Sequence, residues 1–286
     1  MYTPRDLSDF RLPYRDRSAH KGQFGKIFIL AGSQGYTGAP AFAANAAVRT
    51  GAGLVFLGVP ADIYPIVAVK CEEAMPFPLP KNYDVLLKKA QSCDVALIGP
   101  GLGSNKESGT LVRWLLHDLT IPVVLDADGI NALSGHIDIL DARTALTVLT
   151  PHEGEFHRLT GCPLPVPDRL TAACSFAQKH RCILVLKGQG TITAAADGTY
   201  FKNTTGNPGM AKGGSGDVLA GMIAALLGQK QLSSFSPALL TAAAVYFHGL
   251  SGDWCAQQLG EYGMTPSDML AAIPSVLNAH TQASPS

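Results

Sequence analysis

The sequence predicts an α/β fold, a mostly parallel central sheet with helices on both faces, in a single domain. Three observations carry this reading. Short all-apolar runs bounded by Gly or Pro recur along the chain, longer helical patterns separate them, and neither a Pro/Ser-rich linker nor an internal repeat divides the 286 residues. A strand reads as all-apolar when helices cover both faces of its sheet, because neither face then meets water. Alternation of strand and helix favours parallel pairing, since each helix carries the chain back across the sheet.

The first strand is expected over residues 27–31 (IFILA) and the first long helix over 39–50. Further strands are expected at Leu54–Val59, Val95–Ile98, Val123–Leu125, 146–149 and Ile183–Leu186, with helices over 108–118 and 168–180. Residues 191–195 and 199–201, split by Asp197-Gly198, read as a hairpin. The pattern then changes. A Gly-, Asn- and Thr-rich stretch over 203–216 leads into three helical segments, 218–227, 237–259 and 266–278. Residues 1–17 form an N-terminal extension, and the small polar tail from Thr281 reads as frayed.

Composition narrows the function. The 22 basic and 22 acidic residues cancel, so no net field favours nucleic acid or an anionic membrane. No apolar run approaches the ~18 residues of a spanning helix. The six cysteines form no CxxC pair, which excludes a zinc ribbon or a thioredoxin-type motif. The polar N-terminus lacks the apolar core of a signal peptide, so reduced thiols and a cytoplasmic location are expected. Charged residues make up only 15% of the chain, against ~25% usually. A large core and a homo-oligomer contact, dimer or tetramer, would both account for that.

Chemistry concentrates in Gly213-Gly214-Ser215-Gly216-Asp217, directly before an apolar helix. Backbone N–H groups at a helix start are unpaired, the dipole there favours negative charge, and glycines let a phosphate come close. Asp217 reads either as an acidic residue stabilising the helix start or as a base. Beside a phosphate cradle the base is the better use, taking a hydroxyl proton while the cradle holds phosphoryl charge.

This segment resembles the anion hole and catalytic Asp of the ribokinase-like superfamily. An ordered set of motifs is similar, more narrowly, to the ADP- or ATP-dependent NAD(P)H-hydrate dehydratases. They are His20-Lys21-Gly22-Gln23-Phe24-Gly25; Gly32-Ser33 with Tyr36-Thr37-Gly38-Ala39-Pro40; Gly99-Pro100-Gly101-Leu102-Gly103; Leu125-Asp126-Ala127-Asp128; Thr150-Pro151-His152-Glu153-Gly154-Glu155-Phe156; Lys187-Gly188-Gln189-Gly190-Thr191; and the glycine run. With no room for an epimerase domain ahead of Lys21, the chain resembles the stand-alone form.

The resemblance implies a ribokinase-like three-layer fold and a repair lyase. Hydrated (6-hydroxy) NADH or NADPH is phosphorylated on its hydroxyl by ADP or ATP with Mg²⁺, phosphate leaves, and the reduced cofactor returns. It implies Asp217 as the base and Gly213, Gly214, Ser215 and Gly216 as the anion hole. Hydrated cofactor would meet Ala39, Gly103, His152 and Asp217. Nucleotide would meet Lys187, Gly188, Gln189, Gly190, Thr191 and Gly216, and Glu155 would help organise Mg²⁺, through water or directly. Each has a plain alternative: helix–sheet packing for Ala39, a tight turn for residues 100–103, a structural hydrogen bond for His152, a solvated surface position for Glu155 and an exposed strand end for Lys187. Asp126 and Asp128 order Mg²⁺ or cap the next helix, and both stay outside the expected site. The competing functions are a ribokinase-like kinase of a vitamin precursor or sugar, and a non-catalytic nucleotide-binding regulator. An intact Asp217 beside the glycine run speaks against the regulator.

Overall fold

The computed structural model describes residues 7–283. From the N-terminus the chain forms β1 (Lys26–Leu30), α1 (Gly38–Arg49), β2 (Leu54–Val59), α2 (Tyr64–Ala68), β3 (Met75–Pro78), α3 (Tyr83–Gln91), β4 (Val95–Ile98) and α4 (Lys106–Asp118). It continues through β5 (Val123–Leu125), α5 (Asp128–Asn131), α6 (Asp138–Ala142), β6 (Thr147–Leu149), α7 (Glu153–Thr160), α8 (Arg169–Lys179) and β7 (Ile183–Leu186). The hairpin strands β8 (Ile192–Ala194) and β9 (Tyr200–Lys202) precede α9 (Ser215–Gly228), α10 (Pro237–Gly263) and α11 (Pro266–Ala279).

The strands form one sheet in the order β3-β2-β1-β4-β5-β6-β7-β8-β9. Pairing is parallel from β3 to β7 and antiparallel through β8 and β9. Successive side chains of a strand point to opposite faces, and β1 divides accordingly. Ile27 and Ile29 enter a core shared with α1, α9, α10 and α11, whereas Phe28 and Leu30 enter a second core under α3, α4, α7 and α8. Helix α9 is apolar nearly all round, as a helix buried between sheet and outer helices should be. Gly221 lets it meet α1 closely: a Cβ there would stand 2.2 Å from the Ala43 carbonyl oxygen.

Sheet order also locates the binding edge. From β1 the chain runs first toward β3 and then, from β4, the other way. The loops after β1 and β4 therefore part at their carboxyl ends and open a crevice, the usual ligand position in open α/β sheets. Two hydrogen bonds tie these loops together: Gly32 N–H to the Pro100 carbonyl at 2.8 Å, and the Ser33 hydroxyl to the Gly101 carbonyl at 2.8 Å.

Several features depart from expectation, the short helices α2, α5 and α6 among them. Strand β3 contains two prolines and was not expected; as the edge strand of the sheet it can carry residues that donate no ladder bond. Helix α3, capped by Asn82, was likewise not expected. Thr281 is not frayed: Leu12 N–H meets the His280 carbonyl at 2.7 Å and Gln282 N–H meets the Leu12 carbonyl at 2.9 Å. The N-terminal extension holds the start of the tail, while residues 1–6 and 284–286 lie outside the described residues. The expected end of the long helix at 259 falls one residue before Gly260, where φ 73° breaks the helical path.

Candidate active site

Side chains from four elements converge at the carboxyl edge of the sheet. Lys187 follows β7, and its N–H reaches back to the Pro151 carbonyl at 2.8 Å, prolonging the β6–β7 pairing. Its ammonium lies 2.7 Å from Asp126 Oδ1 and 3.8 Å from Glu155 Oε2. Asp126, directly after β5, is buried and also accepts the Thr150 hydroxyl at 2.7 Å. The pair is thus a charge-assisted hydrogen bond with little solvent around it.

The acidic residue sits on a strained stretch of backbone. Ala127 has φ 48° and ψ −115°, a region that costs a non-glycine residue roughly 1–3 kcal/mol. The turn divides two carboxylates between two tasks. Asp126 serves Lys187, and Asp128 accepts the Gly103 N–H at 2.8 Å. A Cβ on neighbouring Gly99 would stand 1.8 Å from the Asp126 carbonyl, so that position demands glycine.

Glu155 is buried rather than solvated. It occupies the first turn of α7 and closes a capping box with His152. Glu155 Oε2 accepts the His152 N–H at 2.8 Å, while His152 Nδ1 accepts the N–H groups of Gly154 and Glu155 at 2.9 and 3.3 Å. An accepting Nδ1 puts the imidazole proton on Nε2, on a half-exposed ring. His152 therefore makes the structural hydrogen bond and keeps a face toward solvent.

Asp217 lies in the first turn of α9, partly buried. Burial pushes its carboxyl up, Asp126 pushes the same way, Lys187 pulls it down and Glu155 raises it again, to about 7. Burial pulls the Lys187 ammonium down, but Asp126, Glu155 and Asp217 outweigh that and hold it above its ordinary value. Three carboxylates thus share one ammonium. Such an excess of hard oxygen ligands suits Mg²⁺, although among the described residues no three metal-ligating side chains are already gathered around one point.

The glycine run meets this cluster directly. A Cβ on Gly216 would lie 3.5 Å from Lys187 Nζ and 4.0 Å from Asp126 Oδ2. Gly214 has φ 105°, and a Cβ there would press on Phe42 at 2.8 Å. Around Gly213 the space is open. Ser215 is buried, and its hydroxyl has no hydrogen-bond partner among the described residues.

The match to a family model described as NAD(P)H-hydrate dehydratase runs over residues 27–275, which includes every side chain of this cluster. The chain belongs to the NAD(P)H-hydrate dehydratase family. It is 41% identical over 93% of its length to the bifunctional NAD(P)H-hydrate repair enzyme Nnr of Moorella thermoacetica, of which it covers 52%. It spans about half the length of the bifunctional curated relatives such as this one. The ADP-dependent (S)-NAD(P)H-hydrate dehydratase of Streptococcus pneumoniae is 34% identical over 92% of this chain and is itself 90% covered. The solved ADP/ATP-dependent NAD(P)H-hydrate dehydratase of Bacillus subtilis, co-crystallised with ATP/Mg²⁺, superposes with TM-score 0.81 at 30% identity, covering 94% of this chain and 95% of that one. The fold is the ribokinase-like one.

Within this dehydratase-family chain the expected residues fall into two groups. Asp217, Gly216, Lys187 and Glu155 come together, joined by Asp126, which lies outside the expected set. Ala39, Gly101 and Gly103 line the crevice after β1 and β4: a Cβ on Gly101 would lie 2.9 Å from the Ala39 Cβ, and one on Gly103 3.4 Å from Ser33 Oγ. Both backbone groups of Gly103 are already engaged, its N–H by Asp128 and its carbonyl by the Ser108 hydroxyl at 2.6 Å. Gly103 therefore has no N–H left to donate and offers mainly space. Likewise the Thr191 hydroxyl closes its own loop onto Gly188, and Arg169 braces that loop through the carbonyls of Leu186, Lys187 and Gln189. Gly188 and Gln189 are exposed at its tip, beside half-buried Gly190. The Lys187 side chain is turned inward to Asp126 rather than exposed at a strand end.

Proposed function

We propose that the chain is a metabolite-repair lyase that dehydrates hydrated NADH or NADPH at the expense of ADP or ATP. The observation that carries this is Asp217, a carboxyl held near neutrality in the first turn of α9, beside glycines that leave backbone N–H groups open to a phosphoryl group.

In the first step Asp217 takes the proton of the 6-hydroxyl as its oxygen attacks the terminal phosphorus of the nucleotide. The bond from that phosphorus to the bridging oxygen breaks, leaving AMP from ADP or ADP from ATP. Backbone N–H groups of residues 213–216 hold the charge that develops on the transferred group. In the second step the C6–O bond breaks with help from the ring nitrogen lone pair, phosphate departs, and transfer of the C5 proton to that phosphate restores the double bond. Phosphate leaves where hydroxide would not, so a kinase fold serves an elimination.

The crevice lined by Ala39 and Gly103 takes the nicotinamide side of the substrate, and half-exposed His152, beside Glu155, meets it from the charged cluster. The loop of residues 187–191 takes the nucleotide through its backbone, while the Lys187 side chain holds Asp126 and Glu155 together. Mg²⁺ fits the excess negative charge at Glu155 and Asp126 and would neutralise charge on the transferring phosphoryl group. No helix of the described residues is long and apolar enough to cross a membrane. A cytoplasmic homo-oligomer, dimer or tetramer, completes the reading; light scattering on the purified protein tests its assembly.

The test uses hydrated NADH and NADPH with ADP or ATP and Mg²⁺. Reduced-nicotinamide absorbance and free phosphate should rise in equal amounts. Inert hydrates, together with a stable phosphate ester formed from a vitamin-precursor alcohol, would make the chain a kinase instead.

A further inference from the structure

His248 lies within α10, is buried, and touches the candidate site at one point: its Nε2 is 2.9 Å from the carbonyl oxygen of Ser215. A carbonyl only accepts, so Nε2 carries the hydrogen and donates it. Burial lowers the imidazole to about 4, and the hydrogen bond to Ser215 only partly opposes this, so the ring stays a neutral donor at ordinary pH.

The oxygen it holds belongs to a particular peptide. The Ser215 carbonyl and the Gly216 N–H are two ends of one planar unit, so fixing the oxygen fixes the direction of the N–H. In this first turn the Ser215 N–H goes to the Lys212 carbonyl at 3.3 Å and the Val218 N–H to the Gly214 carbonyl at 3.1 Å. The N–H groups of Gly216 and Asp217 carry no hydrogen bond among the described residues. Donation to a carbonyl also draws charge through the peptide and strengthens its N–H as a donor. A second, separate feature of the same turn points to a ligand: the buried Ser215 hydroxyl without a partner.

We propose that His248 is a positioning residue of the anion hole, fixing and polarising the Ser215–Gly216 peptide so that the Gly216 N–H meets the transferred phosphoryl group in the transition state. This rests on the reading that the start of α9 receives that group. His248 touches neither substrate, and acts through one peptide.

Two variants separate this role from simple packing. His248→Gln keeps an N–H donor; His248→Met fills similar volume without one. Loss of a direct oxyanion donor costs about 10²–10³ in turnover, so an indirect one should cost roughly tenfold in kcat, with each KM changed less than about threefold. The Gln variant should recover most of that loss. Calorimetry with aluminium fluoride plus AMP or ADP, which imitate transfer from ADP and from ATP respectively, against each nucleotide alone, gives a readout apart from turnover: the extra affinity that fluoride confers should be reduced in the Met variant and retained in the Gln variant. Equal losses in both variants, or wild-type kcat in the Met variant, would overturn the proposal. If the Met variant does not fold, the ¹⁵N histidine spectrum of the wild type decides, because a proton on Nδ1 in place of Nε2 removes the donation altogether. If the hydrated cofactors prove inert with wild-type protein, the fluoride complex and the tautomer still report on the anion hole by themselves.

Discussion

The two halves of the candidate site are built from opposite materials. The crevice after β1 and β4 is made of backbone and small residues, with Ala39, Gly101 and Gly103 packed among loops that hydrogen-bond to each other. The cluster at the ends of β5 to β7 is made of charge: Asp126, Glu155, Asp217 and Lys187, most of it withdrawn from water. The first arrangement removes side chains and leaves room. The second concentrates charge and so sets proton affinity. Residues 126–128 join them, since one strained turn sends Asp126 to Lys187 and Asp128 to Gly103. Substitutions should therefore divide cleanly, with charge changes altering turnover or stability and space changes altering affinity.

The largest effect is expected at Asp217. Removing a general base lowers turnover by about 10²–10⁴-fold, so Asp217→Asn should lose activity on that scale while circular dichroism remains native. The same substitution has a consequence for stability whose sign is fixed. Asp217 titrates near 3.8 when unfolded and near 7 when folded. Below both values the carboxyl is protonated in either state and costs nothing. As pH rises from about 4 toward 7 the unfolded chain ionises first, so the native state loses stability through this group. Asp217→Asn should accordingly raise Tm at pH 8 more than at pH 4, and an equal change at both would remove the buried carboxyl from the account. With Asp217 as the base, kcat/KM of the wild type should fall as pH drops through about 7.

Next comes the Lys187–Asp126 pair. Deleting one partner of a buried ion pair leaves the other uncompensated and costs up to roughly 3–5 kcal/mol. Partial exposure of Lys187 places Asp126→Ala at or below the lower end. The double variant Asp126→Ala/Lys187→Met should regain part of the lost Tm, since the pair is removed as a unit while Glu155 and Asp217 lose their shared cation. If the double variant is no more stable than the single one, the cluster is held by packing and not by this pair.

This pair also marks how far the sequence could be read. Six strands, the hairpin and the start of α9 were legible because apolar runs and glycines act locally. Asp126 was not, although its motif was recognised. Its partner is 61 residues away, and only the order β5-β6-β7 brings residues 126, 150 and 187 to neighbouring strand ends. Strand β3 escaped because its prolines argue against a strand everywhere except at an edge. His248 escaped because a lone histidine on an apolar helix carries no signal until the helix it faces is known.

A smaller effect is expected where charge and space meet. Gly216 has ordinary helical geometry, and a Cβ there would stand 3.5 Å from Lys187 Nζ, so a side chain fits without rebuilding the turn. Gly216→Val should then fold normally yet weaken ADP and ATP binding by calorimetry, because its branches fill the approach to the backbone N–H groups. Unchanged affinity would reduce the glycine run to a turn.

The smallest effect belongs to the crevice, and it sharpens the contrast most. Gly103 has φ 77°, and its N–H and carbonyl are already used by Asp128 and Ser108. It has no N–H left to donate to a substrate, so its main contribution is room. Gly103→Ala adds one methyl 3.4 Å from Ser33 Oγ, a distance the hydroxyl can relieve by moving a few tenths of an ångström. The left-handed conformation adds a cost of about 1 kcal/mol. Neither change alters the charge around Asp217. The variant should therefore raise KM for the hydrated cofactor several-fold, leave KM for ADP unchanged and keep kcat within about twofold, since uniform loss of binding does not touch the chemical step. A fall in kcat with KM intact would put Gly103 on the phosphoryl side, and the two halves would then have to be described as one.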